Sequence, residues 1–170
     1  IENCPVDALR AVMDRLEAAG VQFRCLGDGD IPILEPADPM RARVRGTRDR
    51  VLKPVEITTQ PHPGFPTDLQ AQLMALLTLA EGNSVVAEKI FPERFLHVAE
   101  LSRMGARLFR QGPTVVVSGV RSLVGAPVMA SDLRASAGLG VAGPAGGGGA
   151  TPYPPDHPGR GEEKREAGAD

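Results

Sequence analysis

The stretch DLQAQLMALLTLAEG, Asp68 to Gly82, limits what this chain can fold into more than any other. Leu69, Leu73, Met74, Leu76, Leu77 and Leu79 fall on nearly every side of a helix drawn through it. An amphipathic surface helix needs one covering layer, whereas a helix apolar all round has to be enclosed. The rest of the chain must therefore supply walls around it. Thr67 precedes the run, with Gln70 three residues on. That is a capping-box spacing, and it predicts Thr67 as the N-cap. Gly82 is the expected stop.

The walls are legible as further elements. Pro5–Ala19 reads as a helix, with Leu9, Val12, Met13 and Leu16 on one face and Gly20 as its stop. Residues 26–50 read as strands joined by turns. PVEITT, Pro54–Thr59, alternates as a strand does, and SVVAEKIF, Ser84–Phe91, reads as another. Pro92–Met104 is predicted as a helix stopped by Gly105, Thr114–Val120 as a strand, and a fourth helix begins at Ser131. These elements repeat. LEAAGVQF ends the first helix and LSRMGARLF the third, while TDLQA opens the second and SDLRA the fourth. Two copies of one helix–strands–helix unit are expected, packed about a pseudo-symmetry axis with the apolar helices central. From Ala137 the pattern fails. The Gly- and Pro-rich sequence 137–170 cannot bury a core and is expected to be a disordered or loosely attached tail. The expected domain is 1–136.

Charge and composition exclude several functions. With 170 residues and a net charge of -2, the chain has no basic excess to follow a phosphate backbone, so no nucleic acid is expected as partner. No apolar run reaches the roughly 20 residues of a membrane-spanning helix. Cys4 and Cys25 match no metal-ligand or disulfide pattern and read as small buried apolar residues in a reducing, cytoplasmic setting. His62 and His97 have no ligand spacing either, so no metal is expected. The chain opens at Ile1 rather than Met, which reads as a piece of a longer protein.

Candidate site residues gather at the helix starts. Asp68 and Asp132 occupy equivalent first-turn positions, where the helix dipole favours a carboxylate. The loop before Asp68, Pro61-His62-Pro63-Gly64-Phe65-Pro66, is stiffened by prolines, and Gly64 would let a ligand approach closely. A carboxylate held so firmly suits general-base work, although both aspartates also fit as ordinary helix-start residues. Arg134 lies against the dipole in its first turn, so it calls for an anionic partner, either Asp132 or Asp68 or a substrate anion. Arg94, after the Phe91-Pro92 corner, could reach the same cleft. Arg103 reads as a favourable helix-end charge. No GxxxxGK[ST] or GxGxxG phosphate loop is present.

TTQPHPGFPTDLQAQLMALLTLAEG, IFPERFLHVAELSRMGA and GAPVMASDLRAS together closely resemble the UDP-N-acetylglucosamine enolpyruvyl transferase (1-carboxyvinyltransferase) family, from Ile1 to about Ser136. The resemblance implies an α/β (α+β) fold, an inverted α/β barrel of repeated βαβαββ units, here one domain with an incomplete third unit. It implies transfer of the enolpyruvyl group of phosphoenolpyruvate to the 3-hydroxyl of UDP-N-acetylglucosamine, the first committed step of peptidoglycan synthesis, with no cofactor. It implies Asp68 as the base in contact with the sugar nucleotide, Ile90 as a backbone contact to it, Arg94 as the arginine of the ERF segment, and Asp132 and Arg134 as the pair lining the active site. Arg160 matches the arginine that closes over phosphoenolpyruvate, within a C-terminal stretch that departs from the family's apolar pattern. The glycine-rich loop with the catalytic cysteine and the lysine–asparagine pair are absent from this sequence, so the missing N-terminal catalytic domain is an expected partner. The isolated chain is expected to be inactive. Two alternatives stand beside this reading: a non-catalytic fragment with weak UDP-sugar binding, and a shikimate-type enolpyruvyl transferase, which FPTDLQAQ and ELSRMGA disfavour.

Overall fold

The computed structural model describes residues 1–27, 32–33, 42–48, 51–124, 128–129 and 152–153. The elements in chain order are α1 (Arg10–Ala18), β1 (Val21–Leu26), β2 (Pro32–Ile33), β3 (Arg43–Arg48), β4 (Glu56–Thr58), a 3-10 turn (Thr67–Leu69), α2 (Gln70–Leu77), β5 (Asn83–Ala87), α3 (Leu96–Arg103), β6 (Arg107–Gln111), β7 (Thr114–Ser118), β8 (Val128–Met129) and β9 (Pro152–Tyr153). They form a mixed α/β arrangement. One sheet has the order β2-β1-β3 and is antiparallel. A second has the order β4-β5-β7-β6, with β4 parallel to β5 and the other pairs antiparallel. The strands β8 and β9 pair in parallel.

The all-round apolar helix is enclosed as expected. Six of the eight residues of α2 are buried: Gln70, Ala71, Leu73, Met74, Ala75 and Leu77. Met74 and Leu77 are fully inaccessible, and the helix lies against β5 and β7. Around it stand Leu52, Ile57, Val86, Leu101, Met104, Val115, Val117 and Leu123. Each large side chain so enclosed contributes about 1.5–3 kcal/mol by leaving water.

A second, smaller cluster is made by Cys4, Val6, Ala42 and Val44, with Leu9, Met13, Phe23 and Cys25 against it. The apolar face of α1 is thereby divided. Leu9 and Met13 go to the small cluster, and Val12 and Leu16 go to the main core. This explains why α1 starts at Arg10 and not at Pro5. Residues 1–4 run beside β3, with Cys4 N–H donating to Ala42 O at 2.7 Å and Val44 N–H to Ile1 O at 2.8 Å. Those bonds hold the segment beside β3, with a bend at Asn3 (φ 53°), and turns at residues 6–9 carry the chain into the helix. Cys4 is buried and Cys25 half-buried, both as free thiols.

The first parts of the two predicted units can be compared within the described residues. α1 and α3 each end at a glycine of positive φ, Gly20 at 95° and Gly105 at 90°, a conformation that side chains resist. Each leads into an antiparallel strand pair, β1 with β3 and β6 with β7. The returning chain is then tied at an equivalent place. Lys53 N–H donates to Ala19 O at 3.0 Å, and Val124 N–H to Met104 O at 2.8 Å. Leu52 and Leu123, the residues just before, are both buried in the core. The fourth helix and most of 137–170 lie outside the described residues.

Strand β6 was not anticipated. Its sequence, RLFRQ, has no alternating apolar face, and it forms the exposed edge of the sheet. Several predicted elements are shorter than expected, and two of them meet near Glu88. β5 stops at Ala87 instead of Phe91, and α3 begins at Leu96 instead of Pro92. Both differences trace to Glu88 and the turn after it.

Candidate functional site

Glu88 follows β5 and has no exposed surface. Its carboxylate accepts four hydrogen bonds. Oε1 takes the Thr59 hydroxyl at 2.7 Å, the Ile90 N–H at 2.8 Å and the Phe91 N–H at 2.9 Å. Oε2 takes the Thr67 hydroxyl at 2.9 Å. The Thr59 oxygen accepts in turn from the Lys89 N–H at 2.9 Å. The main-chain N–H groups of residues 89–91 are thus committed to side chains, and the strand ladder ends at Ala87.

Burial is the largest single influence on this carboxyl and pushes its pKa up. The Thr59 hydroxyl, the Phe91 N–H, the Thr67 hydroxyl and the Ile90 N–H together outweigh it, and the net pKa lies below the ordinary glutamate value. A carboxyl whose folded pKa is depressed contributes stability above its unfolded pKa, about 4.3, and loses it as pH falls through the folded value. The melting temperature is therefore expected to fall below about pH 4.3 more steeply in the parent chain than in Glu88→Gln, which has no proton to gain. Parallel melting curves from pH 7 to pH 3 would count against this.

Thr59 and Thr67 flank the loop Gln60–Pro66, so one carboxylate grips both of its ends. The loop is also tied internally, with Gln60 N–H donating to Phe65 O at 2.9 Å and Gly64 N–H to Pro61 O at 2.8 Å. The Phe65 ring is buried in the main core, and the His62–Pro63 peptide bond is cis. Gly64 also has a reason within the loop itself. A Cβ there would lie 2.5 Å from Gln60 Cβ and 3.1 Å from Pro61 O, so its bareness lets the loop close on itself.

Thr67 does not cap the helix. The residue before the 3-10 turn is Pro66, no side-chain cap bond is made, and the Thr67 hydroxyl is spent on Glu88. Asp68 follows directly, in the 3-10 turn before α2, with its side chain exposed. The loop therefore delivers a carboxylate to the surface from a backbone tied at both ends of Gln60–Pro66. Ile90 is half-buried, and its N–H is taken by Glu88. The guanidinium of Arg94 lies over the Phe91 ring, 3.4 Å from its centroid, and the Arg94 N–H donates to Phe91 O at 2.9 Å. Arg94 Nη1 is buried without a hydrogen-bond partner among the described residues. Arg110 secures the same turn through Glu93 Oε2 at 2.9 Å and Pro92 O at 3.2 Å.

Glu88 thus ties Thr67, the neighbour of Asp68, to the turn that carries Ile90, Phe91 and Arg94. Asp132, Arg134 and Arg160 lie outside the described residues. Arg103, on α3, pairs with Glu100 at 3.3 Å as a helix-surface charge. His97 is buried beside the Phe95 ring. Sequence reasoning missed Glu88. Its only signal was an acidic residue within the largely apolar strand SVVAEKIF, with hydroxyl residues flanking the nearby loop. A hollow of about 410 Å³ also opens between α1, β4 and the loop, lined in part by Asp14, Arg15, Glu56 and Gln60, but Asp68, Ile90 and Arg94 do not line it.

Comparison with known proteins places this site in a context. The family model described as EPSP synthase (3-phosphoshikimate 1-carboxyvinyltransferase) matches residues 1–151. Among curated relatives, a UDP-N-acetylglucosamine 1-carboxyvinyltransferase of Desulfovibrio desulfuricans is 50% identical over 143 residues, 84% of this chain and 31% of its own length. One of Anaeromyxobacter is 43% identical over 166 residues, 98% of this chain and 36% of its own. The chain therefore spans about a third of the length of the curated relatives it matches. The enolpyruvyl transferase NikO of Streptomyces tendae superimposes with a TM-score of 0.61 at 28% identity, covering 81% of this chain and 29% of that one. An EPSP synthase of Acinetobacter baumannii shares the fold, with a TM-score of 0.57 at 16% identity over 81% of this chain and 30% of its own. Taken with the mixed sheets and the clamped loop, these matches establish that the chain belongs to the EPSP synthase family of carboxyvinyltransferases.

Proposed function

We propose that this chain forms one side of an active site that transfers the enolpyruvyl group of phosphoenolpyruvate to the 3-hydroxyl of UDP-N-acetylglucosamine, releasing phosphate at the first committed step of peptidoglycan synthesis in the cytoplasm. The observation that carries the reading is Asp68, an exposed carboxylate at the end of a loop fixed at both ends. In this reading Asp68 contacts the acceptor sugar and removes the proton of the attacking hydroxyl. Such a base needs a fixed position more than an unusual environment. The Ile90 N–H is already committed to Glu88. A contact through the Ile90 backbone would then use its carbonyl oxygen, which calls for a donor on the ligand. Arg94 stands near the turn as a cation for the anionic part of the substrates, and Asp132, Arg134 and Arg160 are assigned to the site from the sequence alone. The remaining groups, including the catalytic cysteine, come from the part of the family's length that this chain does not span. The chain alone is accordingly expected to show no turnover.

The names of the curated relatives favour a sugar nucleotide over shikimate 3-phosphate, which serves as the control ligand. Thermal melts with and without UDP-N-acetylglucosamine test the reading. At about a hundred times Kd, ligand binding adds about 2.7 kcal/mol of stability. Asp68→Ala is expected to weaken binding by about 1.5–3 kcal/mol, roughly tenfold or more in Kd, since a hydrogen bond to a charged group is lost. An equal shift in parent and variant, or a shift with shikimate 3-phosphate alone, defeats the assignment.

A further inference from the structure

The two units differ in length at two places: Leu52 follows Gly20 by 32 residues and Leu123 follows Gly105 by 18, and a second difference lies just before Thr67 and Ser131. Thr67 follows Leu52 by 15 residues, whereas Ser131 follows Leu123 by 8. At this second place the first unit therefore carries seven extra residues, which is the length of the Gln60–Pro66 loop. The residue before Ser131 is Ala130, which has no hydroxyl, whereas the loop in the first unit is bracketed by Thr59 and Thr67. Both threonine hydroxyls are bound to one buried carboxylate. The same carboxylate also holds the main chain at Ile90 and Phe91. A simple turn would need no such fixture. A loop added to one unit of a repeated scaffold, and gripped at both ends, has a local task.

We propose that Glu88 is the positioning residue of this site, fixing the turn that carries Asp68 relative to the main chain at Ile90. The proposal rests on the reading that Asp68 and Ile90 face the sugar nucleotide. Glu88 does not touch the ligand. It sets where the acidic acceptor and the Ile90 carbonyl stand, so a sugar with hydroxyls in one arrangement meets both at once. Geometry carries the effect more than charge. Oε1 has three donors and Oε2 one, so a glutamine can keep its carbonyl on the Oε1 side and offer its NH₂ to the Thr67 oxygen, the hydroxyl having turned away.

The test compares two ligands on the same chain. UDP-N-acetylglucosamine engages the sugar contacts, and UDP lacks them. Glu88→Ala is expected to weaken UDP-N-acetylglucosamine at least tenfold while UDP changes less than twofold, and Glu88→Gln is expected to stay within threefold of the parent. Thr67→Val, which removes only the Oε2 partner, is expected to lose about threefold in sugar-nucleotide affinity, and Thr67→Ser to recover it. This pair, with Glu88→Gln, keeps the test open if Glu88→Ala does not fold. Equal losses for both ligands would mean general damage, and Glu88→Gln or Thr67→Ser failing to recover would mean that the geometry is not what matters; either result overturns the proposal. If the parent binds neither ligand, the sugar-nucleotide reading fails for this chain. Glu88 is then judged by amide exchange. Loss of protection at Ile90 and Phe91 in Glu88→Ala, retention in Glu88→Gln and unchanged protection at Leu77 support the clamp. Unchanged protection at Ile90 and Phe91 refutes it.

Discussion

Replacing Gly119 with alanine is expected to unfold the chain or to cost it about 3 kcal/mol or more. A Cβ at Gly119 would lie 1.6 Å from the carbonyl oxygen of Ala80 and 2.8 Å from its carbonyl carbon. Neither is the end of a flexible side chain, so no rotamer change relieves the clash. The contact cannot open without losing other bonds. Gly119 N–H donates to Gly82 O at 2.9 Å and Val120 N–H to Thr78 O at 2.7 Å. These tie the end of β7 to the segment that follows α2. Separating them would also disturb Leu77 and Val117, both fully inaccessible. The measurement is a denaturant or thermal melt followed by far-ultraviolet circular dichroism. A midpoint within about 2 °C of the parent would show that this approach is not close in solution, since 1 kcal/mol alone moves a small domain by several degrees.

The second large effect belongs to the centre of the same packing. Leu77→Ala is expected to cost about 2–5 kcal/mol. Leu77 sits at the C-terminal end of α2, fully inaccessible, in the core that also holds Val115 and Val117. In a helix exposed on one side the neighbours can settle toward the gap. α2 is covered nearly all round, so the void has little chance to collapse. Leu76→Ala makes the comparison, because Leu76 is only partly buried beside the same core. The expected ratio of losses is at least twofold in free energy from urea titrations. Equal losses would mean that α2 is packed no more tightly inside than outside.

The parts of the fold that were legible in the sequence are those in which one physical effect dominates. The surroundings of α2 could be inferred because six apolar side chains at all azimuths leave no solvent-facing solution. Gly20 and Gly105 announced the helix ends because few residues tolerate a positive φ. Strand β6 escaped notice because an exposed edge strand needs no apolar face. Thr67 misled because a hydroxyl has two competing uses. Its spacing to Gln70 fits a local cap, but a carboxylate distant in sequence takes the bond instead. Glu88 was illegible for the same reason, since the value of a buried acid depends on donors that only the fold assembles. Asp68 and Arg134 stood out chemically without the resemblance, while Ile90 and Arg160 owe their assignments to it.

The division of α1 between two apolar clusters bears on how the chain comes apart. A helix with no buried residue of its own is held only by what lies on either side. Among the described residues, the cluster beneath the N-terminal sheet is smaller than the body around α2 and has less to lose on opening. Local openings of a folded chain follow such inequalities. The small sheet can therefore come loose while the main body stays closed, and α1 would be the joint between the two. The loop bearing Asp68 is anchored on the body side, through Phe65 and Glu88.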